Sequence, residues 1–277
     1  MALVITLLIL IVPFVLTRLA TPRFSELLTA GGAVRKNYTG KMIPTAAGLS
    51  IVGAVAVTYL LAAILWEEMR LEILAALVVV LGMGFLGFVD DLLGTRDTTG
   101  IKGHLSMLAR GKITTGGLKA LGGAGFALGF SLLFGKNLMD ICLNTLLIAL
   151  FTNAVNLTDL RPGRADKTFL VLGLCLMLAG ILYPVAPNRI FLLLPAMGAV
   201  AAFLPYDLKG QVMLGDTGSN ALGIILGIVS VLMLNIIARA VLLFLLILLH
   251  IYTEKYSLTE TIEKIRILRC IDEWGRP

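Results

Sequence analysis

The chain has 277 residues, 58% of them hydrophobic and 14% charged, with a mean hydropathy of +0.96. That balance excludes a water-soluble globular domain and makes the bilayer the solvent. The formal net charge of +6 calls for no nucleic acid, because Lys and Arg gather on the cytoplasmic side of membrane proteins. A spanning helix takes about 20 mostly apolar residues. The sequence predicts nine, near 2–19, 45–66, 71–89, 117–135, 140–158, 168–185, 189–205, 219–236 and 237–252, so the fold class is an all-α polytopic membrane protein.

The first span lacks a basic stretch ahead of it and a small-x-small cleavage site, and is expected to be retained. With the N-terminus outside, nineteen of the 23 Lys and Arg fall inside and only Arg70, Lys136, Arg189 and Arg239 fall outside. Nine spans with a cytoplasmic C-terminus satisfy that bias, and an even number would mix the two sets. Glycine clusters such as GMGFLGF and ALGGAGFALG suit close helix packing in lipid. No internal repeat is visible. Cys142, Cys175 and Cys270 have neither pairing nor metal spacing. Residues 1–252 form one helical unit, and 253–277 a short cytoplasmic tail in which Ser257 and Glu260 suggest a capping box opening an amphipathic helix on the membrane surface.

The longest apolar runs end in acids and amides that fall on the cytoplasmic side: Asp90 and Asp91 in GFLGFVDDLLG, Asn153, Asn156 and Asp159 in FTNAVNLTDL, and Asp216 in MLGDTGSNALG. Carboxylates there are costly unless a cation or polar substrate meets them. Asp90 and Asp91 stand against the negative end of a helix dipole. A divalent metal or a loop base such as Lys102 or Lys112 would compensate; the plain alternative is a mark of the water boundary. Asn153, Asn156 and Asp159 recur every three residues as a drifting polar stripe, able to hold a sugar, a nucleotide or a metal-bound water, or else to bond neighbouring helices. Asp216, in a glycine-flanked turn, is either an N-cap, a role open also to Thr217 and Ser219, or a metal ligand beside a phosphate-receiving helix N-terminus.

The order of DDLLG, NAVNLTD and MLGDTGSNALG, with KMIPTAAGL at residues 41–49, resembles the polyprenyl-phosphate N-acetylhexosamine-1-phosphate transferases of bacterial cell-envelope synthesis. The resemblance runs over roughly residues 1–250. It implies a plasma-membrane enzyme in which a polyprenyl phosphate such as undecaprenyl phosphate attacks the β-phosphate of a UDP-N-acetylamino sugar, with Mg2+ required and UMP released. By motif position Asp216 would be the metal ligand. Asp90 and Asp91 would lie beside the diphosphate, one taking a proton or assisting the metal, and Lys41, Asn156 and Asp159 would line the nucleotide-sugar site. It also suggests a homodimer.

Two departures stand out. Where the family reads Asp-Gly-x-Asp-Gly-x-Ala, this chain reads Asp159-Leu160-Arg161-Pro162-Gly163-Arg164-Ala165. The second acid has become a proline, which offers no side-chain hydrogen bond, while Arg161 and Arg164 could grip phosphate or carboxylate or simply follow the positive-inside bias. The family's His-rich loop after the ninth span is also missing, and His104 and His250 are isolated. A non-catalytic lipid- or nucleotide-binding relative and a transporter are the competing readings. Acids gathered at one face argue against the second.

Overall fold

The structure is a computed structural model that describes residues 2–94, 114–182 and 187–277. Helices occupy all nine predicted segments: α1 (Ala2–Ala30), α2 (Leu49–Leu65), α3 (Arg70–Leu93), α4 (Thr115–Phe134), α5 (Leu138–Thr158), α6 (Arg164–Leu182), α7 (Leu194–Leu208), α8 (Gly215–Met233) and α9 (Ile236–Lys255). Seven helical segments among the described residues are long and apolar enough to cross a membrane; α2 is apolar but shorter.

α1 runs eleven residues past its predicted end, through Pro13 and Pro22. A proline leaves the carbonyl four residues earlier without its helical donor. For Pro22 that carbonyl belongs to Arg18, and Tyr206 Oη donates to it at 3.3 Å from α7. α1 ends where Gly32 turns to φ 75° and Ala33 N bonds back to Leu28 O at 2.8 Å, the left-handed glycine stop.

The sequence reading missed an antiparallel hairpin between α1 and α2. β1 (Val34–Lys36) and β2 (Met42–Pro44) pair with Arg35 opposite Ile43. Asn37 closes its turn by accepting from the backbone N–H groups of Thr39 (3.0 Å) and Lys41 (2.9 Å), an Asx device.

α8 is the hub, with every residue from Thr217 to Val231 buried, the mark of a helix enclosed by others. α3 and α5 flank it. Against α5 the approach is backbone to backbone, since a Cβ at Gly223 would lie 2.6 Å from Thr152 Cα. The glycine clusters divide: Gly82 and Gly122 meet Phe126 and Leu86 across α3 and α4, whereas Gly125 and Gly129 face open space. Outer faces carry exposed Leu, Ile, Val and Phe, as on α9 at Val241, Phe244, Leu245 and Leu248, which suits a lipid surface.

The helices alternate, so the bundle has two polar ends. One collects the starts of α3, α5, α7 and α9, tied by Arg189–Glu72 (3.2 Å) and Arg239–Asp140 (2.8 Å); all four basic residues assigned outside lie there. The opposite end holds the acidic motifs and the C-terminal tail. That tail is two short helices, α10 (Leu258–Lys264) and α11 (Arg266–Glu273), broken at the extended residue Ile265. Ser257 opens the first, accepting from Glu260 N.

Gly223→Val should therefore cost about 2–3 kcal/mol, because the clash is with backbone, while Gly129→Ala should be tolerated. Thermal melts of the purified proteins in detergent check this; equal melting temperatures would contradict the α5–α8 packing.

Candidate active site

The last turn of α3 places Asp90 and Asp91 side by side with different surroundings. Helix C-terminal carbonyls lack donors; here Arg35 Nη2, from the hairpin, reaches the carbonyls of Asp91 (2.7 Å), Gly94 (3.2 Å) and Asp90 (3.5 Å). A cation at that position opposes the helix dipole. Asp91 is 6% exposed and points at the start of α8. Its Oδ1 accepts from Asp216 N (3.0 Å), and its Oδ2 from Thr217 N (2.9 Å) and Thr217 Oγ1 (2.6 Å). The cap of α8 thus comes from another helix. None of Asp216, Thr217 or Ser219 caps it, because the helix already begins at Gly215, ahead of all three.

Asp90 and Asp216 converge on one ammonium group. Lys119 Nζ, from the fifth residue of α4, lies 3.0 Å from Asp90 Oδ2 and also donates to Asp216 Oδ2. All three side chains are partly open to solvent. The cation expected from Lys102 or Lys112 is therefore supplied within the described residues by Lys119; those two lysines and His104 lie outside them.

The segment before α2 is fastened to the segment before α8. Met213 N donates to Pro44 O (2.9 Å), Ala47 N to Met213 O (3.0 Å) and Gly48 N to Leu214 O (3.0 Å). A Cβ on Gly48 would lie 2.4 Å from Gly218 Cα, so KMIPTAAGL and MLGDTGSNALG meet through bare backbone.

α5 brings its polar stripe to the same place in part. Ser219 Oγ lies 2.9 Å from Asn156 Oδ1 and 3.0 Å from Gly215 O. Asp159 follows the end of α5, and the Gly215 N–H faces its carboxyl. Burial first, then the charges of Asp207, Asp216 and Asp91, push Asp159 well above the usual carboxylate range. Asn153 is exposed. Lys41 is exposed at the end of the hairpin turn. Arg161 lies over the Tyr38 ring at 5.3 Å, an arrangement that suits a planar guanidinium. Arg164 is buried, with its donors committed to Asp272 and Thr259. His250 bonds within its own helix, its Nδ1 2.7 Å from Leu246 O.

Lys119, Arg35 and Asp207 were not singled out from the sequence. Asp207 ends an apolar run as Asp90 does, and its Oδ2 accepts from Gly163 N at 2.5 Å, so the rule that flagged Asp90 also applies to it. Lys119 is a basic residue at the start of a span, a signal of the same kind. Arg35 carries no sequence signal, because its role depends on the hairpin.

The sequence model described as Glycosyl transferase family 4 matches residues 73–234, more than half of the chain and all of the Asp90, Lys119, Asp159 and Asp216 cluster. The chain belongs to this family. Within it the chain is a divergent member of the polyprenyl-phosphate hexosamine-1-phosphate transferases. It is 30% identical over 240 residues to the phospho-N-acetylmuramoyl-pentapeptide-transferase of Desulforudis audaxviator, covering 76% of this chain and 68% of that protein. The protein of the same name from Bacillus cytotoxicus is 28% identical over 198 residues, 69% of this chain and 61% of its own length. That of Acaryochloris marina is 33% identical over 163 residues, 55% of this chain and 43% of its own. The match to the last two thus falls short of two thirds of their length. With its apolar helices, this membership makes the chain a multi-pass membrane protein.

The two adjacent acids should separate experimentally. Asp91→Asn should lower stability by about 1–2 kcal/mol through the lost cap. Asp90→Asn, which relieves two carboxylates crowding one ammonium, should stay within about 0.5 kcal/mol of the parent. Thermal unfolding of both variants decides, and equal losses would contradict the division.

Proposed function

We propose that this chain transfers the sugar 1-phosphate of a UDP-N-acetylamino sugar to a polyprenyl phosphate, forming polyprenyl-diphosphate sugar and UMP at the cytoplasmic face of a bacterial plasma membrane. The observation that carries this reading is the convergence of Asp90 and Asp216 on one cation, at the bundle end opposite the four basic residues assigned outside. A lipid substrate accounts for a polar site at the mouth of a helical bundle.

The carboxylate oxygens gathered on Lys119 Nζ form a hard-oxygen cation site, with the ammonium as a stand-in ion. Among the described residues no three acidic, His or Cys side chains converge as a preformed metal cage. Two carboxylates suffice for Mg2+, which completes its shell with water and substrate phosphate. Asp216 and Asp90 would hold it, and there it would supply neutralising charge for the diphosphate.

The chain's own groups divide the remaining work. Asp91, with both oxygens held by three donors, fixes the start of α8 and is poorly placed to take a proton. Asp90 therefore accepts the proton of the polyprenyl phosphate, whose freed oxygen attacks the β-phosphorus. The bond from that phosphorus to the bridging oxygen breaks, and UMP leaves with the electron pair. Lys119 offers positive charge to phosphate oxygens that approach the two carboxylates, the main requirement of phosphoryl transfer. Asn156, Ser219 and Asp159 line the donor side, with Lys41 and Arg161 at its rim.

Purified protein given undecaprenyl phosphate, Mg2+ and a panel of UDP-sugars should release UMP only when lipid is present. Asp216→Asn should lower that release by about 100-fold or more. Undiminished turnover in that variant, or no release from folded parent protein with any donor, would overturn the reading.

A further inference from the structure

A second set of buried charges lies beside the Asp90, Lys119 and Asp216 centre, and it joins the C-terminal tail to the turn in which Pro162 departs from the family pattern. The C-terminal tail folds back onto the turn 159–163. The Asp272 carboxylate receives four donors: Arg164 Nε (2.7 Å) and Nη2 (2.9 Å), and Arg276 Nη2 (2.7 Å) and Nη1 (3.1 Å). Arg276 Nε donates to Pro162 O at 2.8 Å. Lys167 Nζ holds the end of α11, donating to the carbonyls of Ile271 (2.9 Å), Asp272 (2.6 Å) and Trp274 (2.9 Å). Arg164, Lys167 and Asp272 are each no more than 8% exposed. Burial alone would raise the Asp272 carboxyl, but the two guanidinium groups outweigh it and hold the group down to about 2.

The same turn is tied to the active end from its other side. Gly163 N donates to Asp207 Oδ2 at 2.5 Å, and Asp159, at the start of the turn, faces the Gly215 N–H next to Asp216. A carboxylate 113 residues further along the chain thus helps set where Asp159 stands. Bidentate pairs to buried arginines carry geometric specificity as well as energy, and removing one partner leaves the others buried and unpaired.

We propose that Asp272 is a positioning residue for the donor side of the site: through Arg164 and Arg276 it clamps the turn 159–163 so that Asp159 is held against the start of α8. This rests on the transferase reading above. Pro162 and Arg164 are then the receiving surface for the tail, and the tail supplies the rigidity of the donor side.

Asp272→Ala should raise the KM for the UDP-sugar by about 10-fold while kcat and the KM for polyprenyl phosphate change less than about 2-fold, a split expected when a bound orientation is lost without loss of the reacting groups. Asp272→Glu should recover most of the donor affinity, and Arg276→Ala, a milder lesion, should reproduce the direction. A readout independent of turnover uses Asp159→Cys with Cys142, Cys175 and Cys270 replaced by serine. Modification by a membrane-impermeant maleimide should be at least about 10-fold faster when Asp272→Ala is added. Unchanged donor KM with unchanged labelling, or an equal loss across kcat and both KM values, would overturn the proposal. Absence of turnover in the parent would refute the transferase reading alone, and labelling would then decide the clamp.

Discussion

The active end of the molecule is organised around the carboxylate of Asp91, placed between two helix termini of opposite sign. As a group in the last turn of α3 it stands at a negative dipole end; as the acceptor of the first N–H groups of α8 it stands at a positive one. Burial of a charge in such a place is tolerated because three donors satisfy it. The consequence is geometric. α8, enclosed on all sides, is fixed in height and rotation against α3, and Asp216 is brought opposite Asp90. Arg35 completes the arrangement by covering the α3 carbonyls that Asp91 cannot serve.

From that junction the site divides by exposure. Asp91 is sealed and structural, while Asp90 and Asp216 remain partly open and share one ammonium group. Two carboxylates on one lysine leave net negative charge at the mouth of a bundle, a position that favours a further cation. On the other side of α8 the contacts are hydrogen bonds, with Ser219 beside Asn156 and the Gly215 N–H facing Asp159. The charged half suits phosphate and metal, and the hydrogen-bonding half suits a nucleotide or sugar.

Much of this was legible in the sequence, for definite reasons. Spans announce themselves by length and hydropathy, so all nine segments are helices, and acids that end apolar runs led directly to Asp90, Asp159 and Asp216. What escaped depends on contacts between distant residues. Hydropathy ends the first span near residue 19, and the Tyr206 hydroxyl on the Arg18 carbonyl supports the continuation of α1 through Pro22. Asp90 and Asp91 look alike in sequence because their difference is a rotation of about 100° about the helix axis, which acquires meaning only once α8 is in place. The hairpin with Arg35 escaped for the same reason, whereas Lys119, a basic residue at the start of a span, carries a sequence signal of the kind that marks Asp90. Pro162 and Arg164 on one side and the tail 253–277 on the other read as unrelated features in the sequence, and the contacts of Asp272 join them.

The central claim is that Asp90 and Asp216 form the cation site while Asp91 holds the helix that carries one of them. Its most direct test is electron paramagnetic resonance of Mn2+, as a reporter for Mg2+, titrated into the purified protein and into Asp90→Asn, Asp91→Asn and Asp216→Asn variants shown to be folded. The account predicts one bound ion in the parent, loss of binding in the Asp90 and Asp216 variants, and retained though weaker binding in the Asp91 variant. Binding indifferent to Asp90 and Asp216, or abolished only by Asp91→Asn, would contradict it.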